Sequence, residues 1–300
     1  MKLVSLVLLC CCLALPVHAG KKSTSPSVGS GPIIEKSATL PGGIPLQITV
    51  YSPSDRAGIS GKIDAVIADM RKIATLFDAN TPTSEVSQIN ANAGKGAIQV
   101  SPEVTRLMEL ANNANEWTHG AFDITQTGEG RKVKVDTKNK TVLLKNADMK
   151  INLDQVLYGY IADLTTQDLY NNGIQNLMVQ VGGASRSMGQ SAVGPWRIDV
   201  ADNNGTFAQR AISLSFSGLS VATVGMGHDQ PSVDPRNHNV FVPQMKGIAL
   251  LAQDAATAQA IANAMFVLGP SGAASLAAEL KNMKYVILDT KGNMTKSPGL

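Results

Sequence analysis

The sequence predicts an α+β fold, a single compact domain with a mainly antiparallel sheet and packed helices. Strand-like and helix-like segments are mixed without strict alternation, which argues against a parallel βαβ sheet. From Leu177 onward short apolar strands dominate. Hydrophobic residues make up 44% of the 300-residue chain and charged residues 16%, a globular composition with length enough for a full core.

Taken in order, Met1–Ala19 reads as a signal peptide. Lys2 supplies the positive start, Leu3–Leu15 the apolar run, and Val17-His18-Ala19 a small-residue cleavage site. The run is short for a bilayer span, so an exported, periplasmic protein with no membrane span after cleavage is expected. Gly20–Pro32 is rich in Ser, Gly, Lys and Pro and opens a flexible leader placed at 20–36, with the domain at 37–300. Leu46–Tyr51 alternates as a first strand. Ile63, Val66, Ile67, Met70, Ile73, Ala74 and Phe77 make Ile59–Phe77 an amphipathic helix. Ser84–Asn90 is a short helical or turn segment. Ser101–Asn115 is a helix capped by Ser101, with Pro102 in its first turn. Val133–Val135 and Thr141–Leu144 flank the turn DTKNK as a hairpin. Tyr158–Asn172 is a helix closed by Gly173. Strands follow at Leu177–Val181, Trp196–Val200, Ala211–Phe216, Ser220–Thr223 and Gly247–Leu251. Between the first two, a Gly-Gly turn leads into a small-residue loop. Helices at Ala255–Leu268 and Ala273–Lys281 and a strand at Tyr285–Leu288 complete the chain.

Composition excludes several function classes. Aromatics are 4% and the net charge is +3 with no basic block, so no nucleic-acid surface is expected. Cys10, Cys11 and Cys12 all lie in the signal, which leaves the mature chain without disulfide, thiolate nucleophile or cysteine-bound metal. His119, His228 and His238 lack metal-ligand spacing and read as loop or cap residues. Within GMGHDQ, His228-Asp229 is the best remaining candidate for acid-base chemistry. Ser185 and Ser187 flank Arg186 with no base nearby, so a serine nucleophile is unsupported. Arg186 itself reads as a surface salt-bridge residue sooner than a phosphate contact.

Seven blocks occur in order: SEVSQIN at Ser84–Asn90, THGAFDIT at Thr118–Thr125, INLDQVLYGYIAD at Ile151–Asp163, Val181–Gly183, Pro195–Arg197, Asp234-Pro235, and MFVLGPSGA at Met265–Ala273. Each alone is weak, but the ordered set resembles the bacterial FAD:protein FMN transferase (ApbE) family. The resemblance implies a T-fold-like architecture and a periplasmic enzyme. Such an enzyme holds FAD and, with magnesium, transfers FMN to a threonine of an exported flavin-accepting protein. It places cofactor-binding positions at Asn80, Ala121, Phe122, Asp123, Asn152, Tyr158 and Val233, and metal positions at Gln155, Gln259 and Asn263.

Several of those positions depart from the family pattern. An aspartate and, one turn later, a threonine are replaced by Gln259 and Asn263, whose i, i+4 spacing still puts them on one face. An aspartate is replaced by Asn152, a small metal-binding residue by Gln155, and a Lys or Glu by Tyr158. The loop tyrosine aligns with Asn80, a Met-Gly-Thr segment with Pro41-Gly42-Gly43, and a histidine with Pro231. Amides can coordinate a cation but bring no compensating charge. Asp154 and Asp254 lie on other faces and do not substitute. Three readings therefore stay open: a flavin transferase; a catalytically inactive ApbE-like module that binds flavin, another ligand or a partner protein; and a purely structural interaction protein.

Overall fold

The computed structural model describes residues 33–52, 56–125, 128–200, 212–225, 233–281 and 283–300. The N-terminal half holds β1 (Ile33–Leu40), β2 (Ile44–Tyr51), α1 (Arg56–Thr75), α2 (Glu85–Ala91), β3 (Ile98–Gln99) and α3 (Pro102–Trp117). Next come β4 (Val133–Asp136), β5 (Thr141–Leu144), α4 (Asp154–Asn171), β6 (Leu177–Val181), β7 (Ala184–Met188) and β8 (Trp196–Val200). The chain closes with β9 (Ile212–Phe216), β10 (Ser220–Gly225), β11 (Met245–Ala252), α5 (Ala255–Leu280), β12 (Lys284–Asp289) and β13 (Met294–Lys296).

Eight strands form one antiparallel sheet in the order β1-β2-β6-β7-β10-β11-β12-β13. Period-two alternation sorts its side chains. Val179, Ile248, Leu250 and Ile287 face the helices, while Met178, Ala249, Leu251 and Val286 face the other way. Helices α1, α4 and α5 cover the first face. The β8–β9 hairpin closes part of the second with Trp196, Leu214 and Phe216, and the Trp196 indole N–H donates to Met188 O at 3.0 Å. A small sheet β3-β5-β4 packs beside α2 and α3.

The Ser101 cap is the one expected, and the structure adds two more. Ser84 accepts from Ser87 N and Ser101 from Val104 N, and Asp254 opens α5 by accepting from Thr257 N. Asp254 is thus a helix cap. The two C-terminal helices run on as α5, interrupted at Gly269 (φ 73°, ψ 177°) before Pro270. Among the described residues α5 is the one helix long and apolar enough to cross a membrane, and it is largely buried, packed against α4 and the sheet.

Three expectations need correction, and two short strands were not expected. The strand β1 begins at Ile33, inside the segment assigned to the leader. Between buried Ile34 and Leu40 its residues alternate between exposed (Glu35, Ser37, Thr39) and half-buried (Lys36, Ala38) because it is an edge strand, so its apolar signal is weak. The small-residue loop after the Gly-Gly turn is strand β7. Its residues have poor strand propensity, but pairing with β6 and β10 on both sides decides the conformation. Helix α4 starts at Asp154, four residues earlier than expected. Short β3 and β13 carry too few residues to show a period.

Candidate functional site

The β1–β2 turn at Pro41–Gly43, the segment Phe77–Asn80 after α1, and the first turns of α4 enclose a cavity of about 160 Å³. Phe77 and Tyr158 supply aromatic walls; Asn80 and Asn152 supply amides; Asp78 and Asp154 supply carboxylates. Phe77 is held edge-on against Tyr160, with ring centroids 6.0 Å apart. Tyr160 is fixed in turn by its hydroxyl donating to Glu103 O at 3.1 Å, and burial pushes its pKa up to about 12. Asp78 accepts from Thr81 Oγ1 at 2.6 Å and from Asn80 N at 3.0 Å, which closes the loop and holds its carboxyl below the usual range. Asn152 Oδ1 accepts from Asp154 N at 2.7 Å, and Asn152 Nδ2 donates to Asp154 Oδ2 at 3.0 Å, so the two open α4 together.

Tyr158 also explains the Gly-Gly turn. A Cβ on Gly182, whose φ is +52°, would lie 2.4 Å from the Tyr158 ring. The close approach expected at that turn is made by this ring. A second cleft of about 400 Å³, lined by Asn90, Thr125, Lys150 and Asn152 among others, adjoins the first and shares Ala79 and Asn152 with it.

Behind the cavity α4 crosses α5 so closely that a Cβ on Gly159 would stand 2.3 Å from Ala255 O. Here the structure brings Gln155, Gln259 and Asn263 together. Gly159 N donates to Gln259 Oε1 at 2.7 Å, and Asn263 Nδ2 donates to Gln155 O at 3.0 Å and to Gln259 O at 2.9 Å. Gln259 and Asn263 are buried. Their orientations follow from their partners, since a carbonyl demands a donor and an N–H demands an acceptor. Both amide hydrogens of Asn263 are committed to carbonyl oxygens.

One helical turn further along α4, Asp163 forms a second junction. Its Oδ1 accepts from Arg186 Nη1 at 2.6 Å and from Ala255 N at 2.9 Å, and its Oδ2 accepts from Ala256 N at 2.9 Å. Burial raises the Asp163 carboxyl above its ordinary range, while these hydrogen bonds and the Arg186 charge pull it down. Arg186 is therefore a salt-bridge residue, but a largely buried one and not the surface pair expected, because its carboxylate partner lies on α4 under the start of α5. Asp163 had no role in the sequence reading; its place at the end of the GYIAD block was the available signal.

The remaining candidates lie elsewhere. Ala121 and Phe122 are buried in the core. Asp123 is buried too; its Oδ1 accepts from Thr125 N and Thr125 Oγ1, and its Oδ2 from Gly130 N, which fixes the loop beside the second cleft. Val233 bridges to Val240 at the Asp234-Pro235 turn, where Asp234 accepts from Arg236. His119 pairs with Glu279 at the end of α3, and His238 sits in the Asp-Pro turn with φ +61°. His228, Asp229 and Pro231 lie outside the described residues.

With this geometry in view, the comparisons decide the family. The family model described as ApbE family matches residues 43–129 and 126–287. The chain belongs to the ApbE family. An FAD:protein FMN transferase of Haemophilus influenzae is 23% identical over 284 residues, covering 79% of this chain and 80% of the relative. One of Treponema pallidum is 23% identical over 305 residues, covering 85% and 84%. The structure of flavin transferase ApbE from Vibrio cholerae superposes with a TM-score of 0.75 at 18% identity, covering 89% of this chain and 96% of that one. The ApbE protein of Thermotoga maritima gives 0.75 at 24%, covering 89% and 97%. The α+β, mainly antiparallel architecture is thus that of ApbE structures.

The residues present fit the two groups the family implies unequally. Tyr158 and the amides of Asn80 and Asn152 match the apolar, hydrogen-bonding tricycle of a flavin in kind, but Phe77 is only 2% exposed and the cavity of about 160 Å³ holds a flavin only together with the adjoining cleft of about 400 Å³. Magnesium does not fit. A hard dication gains most from carboxylate oxygens, and the three metal positions are two glutamines and an asparagine. The Asn263 hydrogens point at the Gln155 and Gln259 carbonyls, so donors face the oxygens a cation would use. Among the described residues no group of three His, Cys, Asp or Glu side chains could hold a metal.

Proposed function

We propose that this chain is an exported ApbE-family protein that binds a flavin in the cavity at the start of α4 and does not carry out magnesium-dependent FMN transfer. One observation carries the reading: Asn263 donates both amide hydrogens within the cluster where the family pattern places the metal. Cleaving a pyrophosphate needs positive charge against the phosphate oxygens, and that charge is worth several kcal/mol to the transition state. Three neutral side chains offer none. The cavity walls Phe77, Tyr158, Asn80 and Asn152 support flavin binding. The signal-like Met1–Ala19 supports export.

The transferase reading, with an exported flavin-accepting protein as partner, draws on the relatives' shared name and on the gathering of the three metal positions at one helix crossing. A single preparation separates the two. The purified protein is incubated with FAD and magnesium, and FMN and AMP are followed by chromatography. The expected result is flavin released on denaturation and no AMP above the protein-free control. Magnesium-dependent AMP release that scales with protein would overturn the non-transferring reading.

A further inference from the structure

The two edges of the large sheet differ. Among the described residues it ends on one side at β13, three residues long, and on the other at β1, eight residues long, and no strand pairs with the outer side of β1. A long edge strand invites pairing unless it is bulged, interrupted by proline, guarded by lysine or covered. The β1 register runs unbroken from Ile33↔Tyr51 to Leu40↔Ile44, the strand has no proline, and Lys36 turns to α1, where it bonds Asp64. We propose that a second copy of this chain pairs with this edge, β1 to β1, antiparallel and centred on Ser37. The pairing goes beyond the flavin reading and does not depend on it.

Backbone alternation fixes which groups point outward. Tyr51 N donates to Asn176 O at 3.0 Å, so Tyr51 turns its backbone groups toward β6. Thr49, Gln47 and Pro45 then turn the same way, and Val50, Ile48, Leu46 and Ile44 turn toward β1. Pro45 has no N–H to give β1, which agrees. By register, Ile34, Lys36, Ala38 and Leu40 bond β2, while Ile33, Glu35, Ser37 and Thr39 point their N–H and C=O groups outward.

Charge selects the register between copies. Centred on Ser37, the pairing sets Glu35 opposite Thr39, whose hydroxyl can donate to a carboxylate, and Lys36 opposite Ala38. A centre at Glu35 or at Lys36 would set that charge against its own copy. Exposed Ser37 and Thr39 border a groove of about 520 Å³, which leaves room for the incoming Glu35 side chain. The same pairing brings Ile33 of the second copy to the Leu40–Pro41 end of β1, and Pro41 lines the cavity. The leader is a poor substitute for a second copy, because Gly20–Pro32 is rich in Ser and Gly and includes Pro26 and Pro32.

The test is sedimentation of the full mature protein over a concentration series, without flavin. A reversible monomer–dimer equilibrium is expected. Ser37→Pro deletes an outward N–H and no bond to β2, so it should weaken dimerisation at least tenfold, about 1.4 kcal/mol, with an unchanged circular dichroism spectrum. Two side-chain variants serve if that proline disturbs the strand. Thr39→Glu should weaken the dimer roughly fivefold by facing Glu35, and Thr39→Lys should strengthen it by a similar factor. A monomer at every concentration would overturn the proposal. So would a dimer that ignores all three substitutions, since its contact would lie elsewhere. Equal effects of Thr39→Glu and Thr39→Lys would overturn the register.

Discussion

Two polar junctions join α4 to α5 one helical turn apart, and they are built from opposite chemistry. At Gly159 the junction is neutral: Gln259 accepts from the α4 backbone and Asn263 donates to it. At Asp163 it is charged: a carboxylate receives the first N–H groups of α5 and the Arg186 guanidinium. Both satisfy buried backbone groups, so both suit a close helix crossing. Only one carries charge. A buried carboxylate is sustained here because a helix N-terminus and a guanidinium compensate it. Amides at the other junction need no such compensation, and for that reason they offer a cation no compensating charge. Charge at this crossing serves the fold, and the positions equivalent to metal ligands serve it too.

The sharpest way to break that contrast is at the charged junction. Asp163→Ala leaves Arg186 buried without its carboxylate and two N–H groups of α5 without an acceptor. It should cost about 3–5 kcal/mol in urea-induced unfolding. A cost under ~1 kcal/mol would mean that water fills the gap. Next in size is conversion of the neutral junction into a charged one. Gln259→Asp with Asn263→Thr should make thermal stability respond to magnesium, by about 2.7 kcal/mol when the cation stands at a hundred times its dissociation constant. The parent should not respond. An equal response in both proteins would show that amides already bind the ion.

Gly159→Ala tests the closeness both junctions depend on. Its new Cβ would meet the Ala255 carbonyl at 2.3 Å, an obstacle of backbone. A loss of about 1–3 kcal/mol is expected, again by urea unfolding. A neutral effect would show that the helices slide apart freely. The smallest effect is a pH dependence belonging to one junction alone. The Asp163 carboxyl is raised in the folded state, so the native form binds its proton more tightly than the unfolded chain does. Its contribution should therefore favour folding increasingly as pH falls through the raised value, reach its full size below 3.8, and fade as pH rises. Comparing parent with Asp163→Asn across that range isolates it. A parent that loses stability relative to the variant on acidification would reverse the sign and point to the ion pair as dominant.

Much of this molecule is legible from local pattern. The helix capped at Ser101, the hairpin β4–β5, and strands β6 and β8 follow from residues next to one another, because caps and alternation are local physics. The ordered motif blocks also identified the family, and the i, i+4 spacing alone put Gln259 and Asn263 on one face of α5. What they would face was not legible. That Asn263 meets the Gln155 carbonyl, 108 residues away, depends on how two helices cross. So does the pairing of Asp163 with the start of α5, 92 residues on. β7 reads as a loop in isolation and becomes a strand between two others, since its backbone bonds are supplied by neighbours rather than by its own side chains. Sequence determined which groups were present and how each turn begins. Tertiary packing decided which of them are spent on one another, because a hydrogen-bond donor is used up only by a partner the fold brings within reach.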